Sequence, residues 1–227
     1  MQQIVDGVWR LEGPAFPMPL GAKMPVGSTV VRLADSALAL YSPVAFDDAQ
    51  TAAIDALGDV AHVISPNLFH HAYIAAALAR WPRATYRASP GLATKRPDLP
   101  APQPVADLPG VQVVHVAGMP KFDEYVLFHA ASATLVCGDL VFNIPRPPEL
   151  MSRVMFGMTG IGGGKPAQSR LWRMLTKDRE ANRASIDEVL ALPFQRIVPA
   201  HGAALDLDAA GLAALFNLGG TARRAGS

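Results

Sequence analysis

The sequence has few of the residues that mark several large classes of protein. It contains one cysteine, Cys137, so no disulfide can form within the chain, and we expect a reducing compartment. No apolar run approaches the ~18 residues that span a bilayer. The first residues, Met1 to Asp6, lack the basic start and apolar stretch of a signal peptide. These absences predict a cytoplasmic protein.

Charge is also scarce, and its two signs nearly cancel. Charged residues make up 17% of the chain, and the formal net charge is +1. A balance this close to zero gives no reason to expect nucleic acid or an anionic membrane as a partner. We therefore expect a small-molecule substrate or ligand, while nothing in the sequence indicates an oligomeric state.

Hydrophobic residues are abundant: they make up 50% of the 227 residues, which is enough for one sizeable core. We expect a single domain over residues 1–218 and a flexible C-terminal tail at 219–227. Segments rich in β-branched residues and bounded by turn residues predict strands at 4–11, 28–34, 37–42, 60–65, 83–88, 111–116, 123–129, 133–137 and 195–199. Helical spacing predicts helices at 47–57, 72–80, 168–177, 180–191 and 208–217.

Two further segments contain many helix breakers, and we expect them to lack regular structure. Residues 89–110 contain six prolines and predict a connecting arm. Residues 143–167 are rich in proline, glycine and methionine, and predict a mobile or capping loop. The whole pattern is that of two similar halves, each with strands packed under helices.

Candidate metal ligands follow the predicted strands. His70 and His71 lie in the loop after one strand, while Asp139 and His201 each follow another. Imidazole and carboxylate groups on rigid strand ends suit one divalent metal, with Zn²⁺ first and Fe²⁺ or Mn²⁺ as alternatives. Each residue also has a structural interpretation, because histidine can cap a helix and Gly-Asp or Pro-Asn is common turn chemistry. Asn67 is a further candidate, as a group that orients a water or a ligand oxygen.

This order of motifs resembles the metallo-β-lactamase superfamily. The shared features are a strand leading to a His-rich loop and helix, a later strand leading to Gly138-Asp139, and a last strand leading to Ala200-His201-Gly202. The stretches Met24 to Leu33, Tyr41-Ser42-Pro43, Ser65 to His71 and Ser132 to Leu140 extend the resemblance over about residues 4–205, in a subfamily with a Pro-Asn-Leu-Phe-His-His loop. The resemblance implies an α/β fold, the αββα sandwich, and a metal site used for hydrolysis.

The sequence also departs from the superfamily pattern, in which active members carry a His-x-His-x-Asp-His loop. Aligned on the last residue of that loop, Pro66 and Leu68 replace the first two histidines, His70 replaces the aspartate, and His71 is the retained histidine. A Gly-His pair after the arm is replaced by Gly118-Met119, although His115 lies nearby. The resemblance then implies one metal rather than two, held by His71, Asp139 and His201, with His70 as a fourth ligand.

Two functions follow from this degenerate site. In the first, the protein is a mononuclear metal-dependent hydrolase of an ester, thioester or lactone, in which Asp139 and Asn67 take part in catalysis. In the second, the fold has lost catalysis, and the protein is a module that binds a small molecule or a protein partner. The loss of ligands at Pro66 and Leu68 favours the module, and the retained His71, Asp139 and His201 favour the hydrolase.

Overall fold

The structure is a computed structural model, and it describes residues 1–216. The strands of the first half are β1 (Gln2–Val5), β2 (Val8–Glu12), β3 (Phe16–Pro17), β4 (Lys23–Met24), β5 (Gly27–Arg32), β6 (Leu38–Tyr41), β7 (Val60–Ile64) and β8 (Thr85–Arg87). Those of the second half are β9 (Val111–Val116), β10 (Glu124–His129), β11 (Thr134–Cys137), β12 (Arg196–Pro199) and β13 (Leu205–Asp206). The helices are α1 (Asp48–Asp55), α2 (Ile74–Arg80), α3 (Gly91–Lys95), α4 (Leu150–Thr159), α5 (Arg170–Leu175), α6 (Arg179–Leu190) and α7 (Ala209–Leu215).

The strands form two main sheets. One has the order β1-β2-β5-β6-β7-β8 and the other β13-β12-β11-β10-β9, while β3 and β4 pair as a small separate hairpin. Both main sheets mix parallel and antiparallel pairs: β6, β7 and β8 run parallel, as do β11 and β12. Three strands therefore lead into the loops that carry the four predicted metal ligands: β7 into the loop with His70 and His71, β11 into that with Asp139, and β12 into that with His201.

Alternating side chains divide the core into layers. On β5, Val31 faces the second sheet and Val30 faces the helices, because successive strand residues point to opposite sides. The layer between the sheets includes Val31, Tyr41 and Val136, the outer layer of the first sheet packs on α1 to α3, and that of the second packs on α5 to α7. This is the αββα sandwich that the sequence predicts.

Several predictions about single elements are wrong. The strand predicted at 4–11 is a hairpin of β1 and β2, because Gly7 adopts a φ of +76° and turns the chain. The arm at 89–110 contains the short helix α3, and β13 had no counterpart among the predicted strands. The segment 143–167 is not an irregular loop, since α4 occupies its centre. The end of the predicted 208–217 helix, the last residues of the predicted domain and the tail at 219–227 lie outside the described residues.

Candidate metal centre

Three side chains from three strand-end loops meet at one edge of the two sheets. His70 Nε2 lies 3.2 Å from Asp139 Oδ2, and His201 Nε2 lies 3.3 Å from Asp139 Oδ1. The two histidine Nε2 atoms are 3.3 Å apart. Within residues 1–216, this is the group of three histidine, cysteine or acidic side chains whose ligand atoms come together, all within 4.8 Å of one another.

Hydrogen bonds to the Nδ1 atoms, which face away from Asp139, fix the orientation of both imidazoles. His201 Nδ1 donates to the carbonyl of Pro25 over 2.8 Å, which leaves the Nε2 lone pair facing the site. The ring of Phe142 stacks on His201, with centroids 5.2 Å apart and planes inclined by 5°. His70 Nδ1 is hydrogen-bonded to Ser42 Oγ at 2.7 Å. Such partners on the second ring nitrogen are usual for histidines that bind metal through the first.

The loop that carries His201 depends on two further residues. The guanidinium of Arg10 is buried and donates to the carbonyls of Pro199 and Ala200, which ties β2 to the end of β12. Gly202 follows His201 with a φ of +94°, and a Cβ there would overlap the Asn143 carbonyl. The close approach of these backbones therefore requires glycine immediately after the ligand.

Asn67 acts on Asp139 rather than on a bound molecule. Its Nδ2 donates to Asp139 Oδ2 over 2.8 Å, and its Oδ1 accepts from the backbone N–H groups of Phe69 and His70. Asn67 is buried, and it is not among the residues that line the adjoining cavity. The predicted direct role for Asn67 in placing a substrate oxygen is thus not supported, because its amide is fully used in positioning the ligands.

Glu124, at the start of β10, is a residue that the sequence analysis missed. Its carboxylate accepts from the backbone N–H groups of Gly138, Asp139 and Leu140, and it lies 3.4 Å from Asn67 Nδ2. It thereby holds the turn on which Asp139 sits. Burial and the Asp139 carboxylate raise the pKa of Glu124 to about 8, although these N–H groups act in the opposite direction. An acid at the start of a predicted strand gave no signal of this contact.

The charge of Asp139 is stabilised by its two histidine partners. Burial alone would raise the pKa of this carboxyl, but the charges and hydrogen bonds of His70 and His201 hold it well below its usual range. A buried carboxylate facing two ring nitrogens is a donor set that favours a cation between them.

His71 does not join this group. Arg96 Nη1 lies 2.9 Å from His71 Nδ1 and donates to its carbonyl over 3.1 Å, which holds the ring on the other side of the loop. The tight turn in which His71 N donates to Phe69 O directs the neighbouring His70 inward instead. Burial and the nearby Lys95 and Arg96 charges lower the pKa of His71. The inward position expected for His71 is thus occupied by His70.

The other positions of the superfamily pattern supply no ligand to this group. Leu68 packs against the core between the first sheet and its helices. His115 Nε2 is 2.6 Å from Asp123 Oδ1, and its ring stacks on Tyr125. Pro66 has no side-chain donor atom. The three-histidine position is therefore not rebuilt from other residues of the described chain.

A mostly apolar cavity of about 350 Å³ adjoins the three ligands. Its polar lining groups are Ser42, His70, Tyr73, Asp139, Thr159, Ser169 and His201. Its apolar lining includes Phe16, Met18, Met24, Phe142, Met155, Phe156 and Trp172. No lysine or arginine lines it within residues 1–216. The cavity therefore suits an uncharged, apolar molecule with one polar group that reaches the histidines.

The geometry passes a simple test for a metal. A tetrahedral ion with ligand bonds of about 2.0–2.1 Å has ligand atoms about 3.3–3.4 Å apart. The 3.3 Å between the two histidine Nε2 atoms matches this spacing, and each Nε2 lies 3.2 or 3.3 Å from a different oxygen of the Asp139 carboxylate. Taken one per residue, the three ligand atoms lie within 4.8 Å of one another. Two imidazoles and a carboxylate with one side open to a cavity are also a usual ligand set for Zn²⁺ or Fe²⁺.

No protein-family model matches the sequence, and no curated protein matches it either. Solved structures do match the fold. The mono-zinc form of the metallo-β-lactamase FIM-1 from Pseudomonas aeruginosa has a TM-score of 0.61 at 18% identity, over 96% of this chain and 91% of that one. A metallo-β-lactamase from Hirschia baltica has a TM-score of 0.60 at 16% identity, over 90% of both chains.

The metal-soaked Flv1 flavodiiron core from Synechocystis sp. PCC6803 has a TM-score of 0.63 at 13% identity, over 95% of this chain and 59% of that one. These similarities lead to the same fold as two features of the structure, which are the layered sandwich and the positions of the ligands at strand ends. The chain has the metallo-β-lactamase fold, with a His-Asp-His group that could hold a divalent metal.

Proposed function

We propose that the protein is a mononuclear metal-dependent hydrolase that cleaves an uncharged ester, thioester or lactone. The observation that carries this proposal is the meeting of His70, Asp139 and His201 at the inner end of an apolar cavity. In this proposal the three side chains hold one divalent ion, Zn²⁺ in the first instance. A similar fold with one metal is represented by the mono-zinc FIM-1 structure.

A divalent ion in such a site lowers the pKa of water and withdraws electron density from a carbonyl oxygen. The protein's own groups supply orientation and charge. Asp139 stays ionised at neutral pH, so it would supply an anionic ligand that offsets part of the charge of the ion. The Phe142 ring and the Ser42 hydroxyl hold the two imidazoles in place, so little reorganisation is needed when a substrate enters.

The cavity indicates how a substrate would be recognised. Phe16, Phe142 and Trp172 offer apolar surface to an acyl or alkyl group. Besides Ser42, whose hydroxyl is bonded to His70, the neutral hydrogen-bonding groups of the wall are Tyr73, Thr159 and Ser169. An ester or lactone carbonyl reaching the histidines would leave no charge unpaired in this environment.

The alternative is a catalytically inactive module that binds an apolar small molecule in the same cavity or docks a protein partner. It is favoured by the limited ligand set, since His71 faces Arg96 and Leu68 packs into the core. Under this alternative the cavity would bind ligands whether or not a metal is present.

Metal content and hydrolysis should be measured together on protein purified without chelator. We expect at most one equivalent of transition metal per chain, and turnover of chromogenic apolar esters or lactones that Asp139→Ala abolishes. Asp98→Ala is the matched control, because Asp98 is an exposed partner of Arg96 outside the ligand group. Metal-loaded protein that cleaves no substrate of the panel would favour the module.

A further inference from the structure

The helix α4 is apolar on both of its faces. Met155, Phe156 and Thr159 line the cavity from above. On the opposite face Leu150, Val154 and Met158 follow one another at intervals of four and are 65%, 47% and 72% exposed. A surface helix of a soluble protein normally places polar residues on its outer side, so this outer row of apolar side chains requires an explanation.

Neighbouring segments extend the apolar surface. Leu171 and Met174 of α5 are exposed, and Leu171 also lines the cavity. Leu20 lies in the turn Pro19–Gly21, which contacts α4; it is 82% exposed and has a φ of +59°, which is unfavourable for leucine. Among the residues that the structure describes, every large exposed hydrophobic side chain except Met1 belongs to this region or to Phe69 at the cavity. We call the surface formed by α4, α5 and the turn Pro19–Gly21 the α4–α5 face.

Positive charge is concentrated in the segment of the chain that carries α4 and α5. Residues 146–179 contain seven lysines and arginines and two acids, a net charge of +5 in a chain whose total is +1. The cations are all exposed: Arg146, Arg153, Lys165, Arg170, Arg173, Lys177 and Arg179. Of the two acids, Glu149 is only half exposed and lies 3.7 Å from Lys23, which partly neutralises it. The near-zero total hides this segregation of charge.

We propose that the α4–α5 face binds the surface of an anionic phospholipid bilayer. Leucine, valine and methionine side chains enter the boundary between headgroups and acyl chains, while the surrounding cations contact lipid phosphates. The proposed attachment is through side chains of this face at the surface of the bilayer. No helix of residues 1–216 is long and apolar enough to cross a membrane. This replaces the expectation of no membrane partner, which rested on the net charge alone.

The charge pattern distinguishes this partner from the others. A nucleic acid would contact the cations but would leave the outer row of α4 in water. A second copy of the chain would bring two faces of the same sign together, which opposes association. A lipid surface offers phosphates to the cations and an apolar phase to the outer row of α4. The proposal does not depend on hydrolysis. It would place the cavity, which Leu171 lines, next to the acyl chains of the bilayer, in which apolar molecules concentrate.

Flotation of the full chain with vesicles tests the proposal. We expect at least ~10-fold stronger partition into vesicles of equal parts phosphatidylglycerol and phosphatidylcholine than into phosphatidylcholine alone, with a loss of binding at high salt. Val154→Asp with Met158→Asp should reduce partition by ~10-fold or more, as should Arg170→Glu with Arg173→Glu. The matched controls, Ala52→Asp with Ala56→Asp and Arg83→Glu, change exposed residues elsewhere and should bind like the wild type.

A second measurement covers the case in which the aspartate variants misfold. The chain has three tryptophans, so the emission of Met158→Trp is compared with that of the wild type. The difference between the two spectra should shift to shorter wavelength on addition of anionic vesicles and not of neutral ones. Equal partition of the wild type into both kinds of vesicle would overturn the proposal. So would a chain that binds DNA but no vesicles, or one that forms a dimer sensitive to the same substitutions without binding lipid.

Discussion

His70 and His201 face each other through their Nε2 atoms, which lie 3.3 Å apart beside the Asp139 carboxylate. The hydrogen on His201 is placed on Nδ1 by its bond to Pro25, so its Nε2 presents a lone pair toward His70. A proton or a metal ion is needed to make this arrangement favourable. The metal hypothesis can therefore be tested by replacing His70 and, as a comparison, its neighbour in the sequence, His71.

The first prediction separates His70 from His71. His70→Ala should reduce Zn²⁺ affinity by at least about 100-fold, because it removes one of three ligands. His71→Ala should leave affinity close to that of the wild type, since its ring is paired with Arg96 and not with Asp139. Isothermal titration of both variants with Zn²⁺ measures this. Loss of metal in His71→Ala with retention in His70→Ala would contradict the site described above.

The second prediction concerns Asn67 as a positioning residue. Asn67→Ala frees Asp139 Oδ2 and leaves the N–H groups of Phe69 and His70 without their side-chain acceptor. We expect Zn²⁺ affinity to fall by about 10–100-fold and the free energy of unfolding to fall by about 1–3 kcal/mol. Asn182→Ala is the control: its amide donates to Ala117 on another part of the chain, so it should lower stability without changing metal affinity.

The sequence predicted the layered fold and the strand ends at which the ligands lie, because strand patterns and the spacing of turns are set locally. It predicted both His70 and His71 as ligands, whereas only His70 joins Asp139 and His201, since side-chain direction in a loop depends on long-range partners such as Arg96. Glu124 was missed for the same reason: its three backbone donors come from the turn after the next strand, 14 to 16 residues further along the chain. The α4 helix was obscured by the prolines and glycines that flank it on both sides.

The third prediction uses the raised pKa of Glu124. A carboxyl whose pKa rises on folding binds more protons in the folded state, so its contribution to stability is present below the unfolded value and is lost as pH rises through about 8. In metal-free protein, the stability of the wild type relative to Glu124→Gln should therefore fall between about pH 5 and pH 9, by no more than about 5 kcal/mol. Urea unfolding across this range measures it, and a difference that is independent of pH would show that the shift is absent.

The fourth prediction concerns the backbone behind His201. Gly202→Ala places a Cβ against the Asn143 carbonyl at a φ of +94°, and we expect it to reduce the free energy of unfolding by at least about 2 kcal/mol. Gly157→Ala is the matched control, because Gly157 lies within α4 and a Cβ there has no neighbour within 4 Å. That variant should be neutral or more stable by up to about 1 kcal/mol. Equal effects of the two substitutions on thermal unfolding would contradict the packing at Gly202.

The last prediction concerns substrate choice. We expect weak or no hydrolysis of β-lactams and of glutathione thioesters, because these carry carboxylates and no lysine or arginine of the described chain lines the cavity. Moving such a charge into an apolar wall without a partner costs several kcal/mol, and each 1.36 kcal/mol is about tenfold in rate. A single metal would add to this limit, since residues 1–216 offer no second group of ligands for an ion that would stabilise both the attacking and the leaving oxygen. Uncharged esters and lactones should react faster, and Asp139→Ala should abolish that reaction.

A panel of chromogenic substrates with metal-loaded protein compares the hydrolysis rates of the charged and the uncharged substrates. Fast β-lactam turnover, lost in Asp139→Ala, would show that the cavity accommodates a charge for which its lining provides no partner.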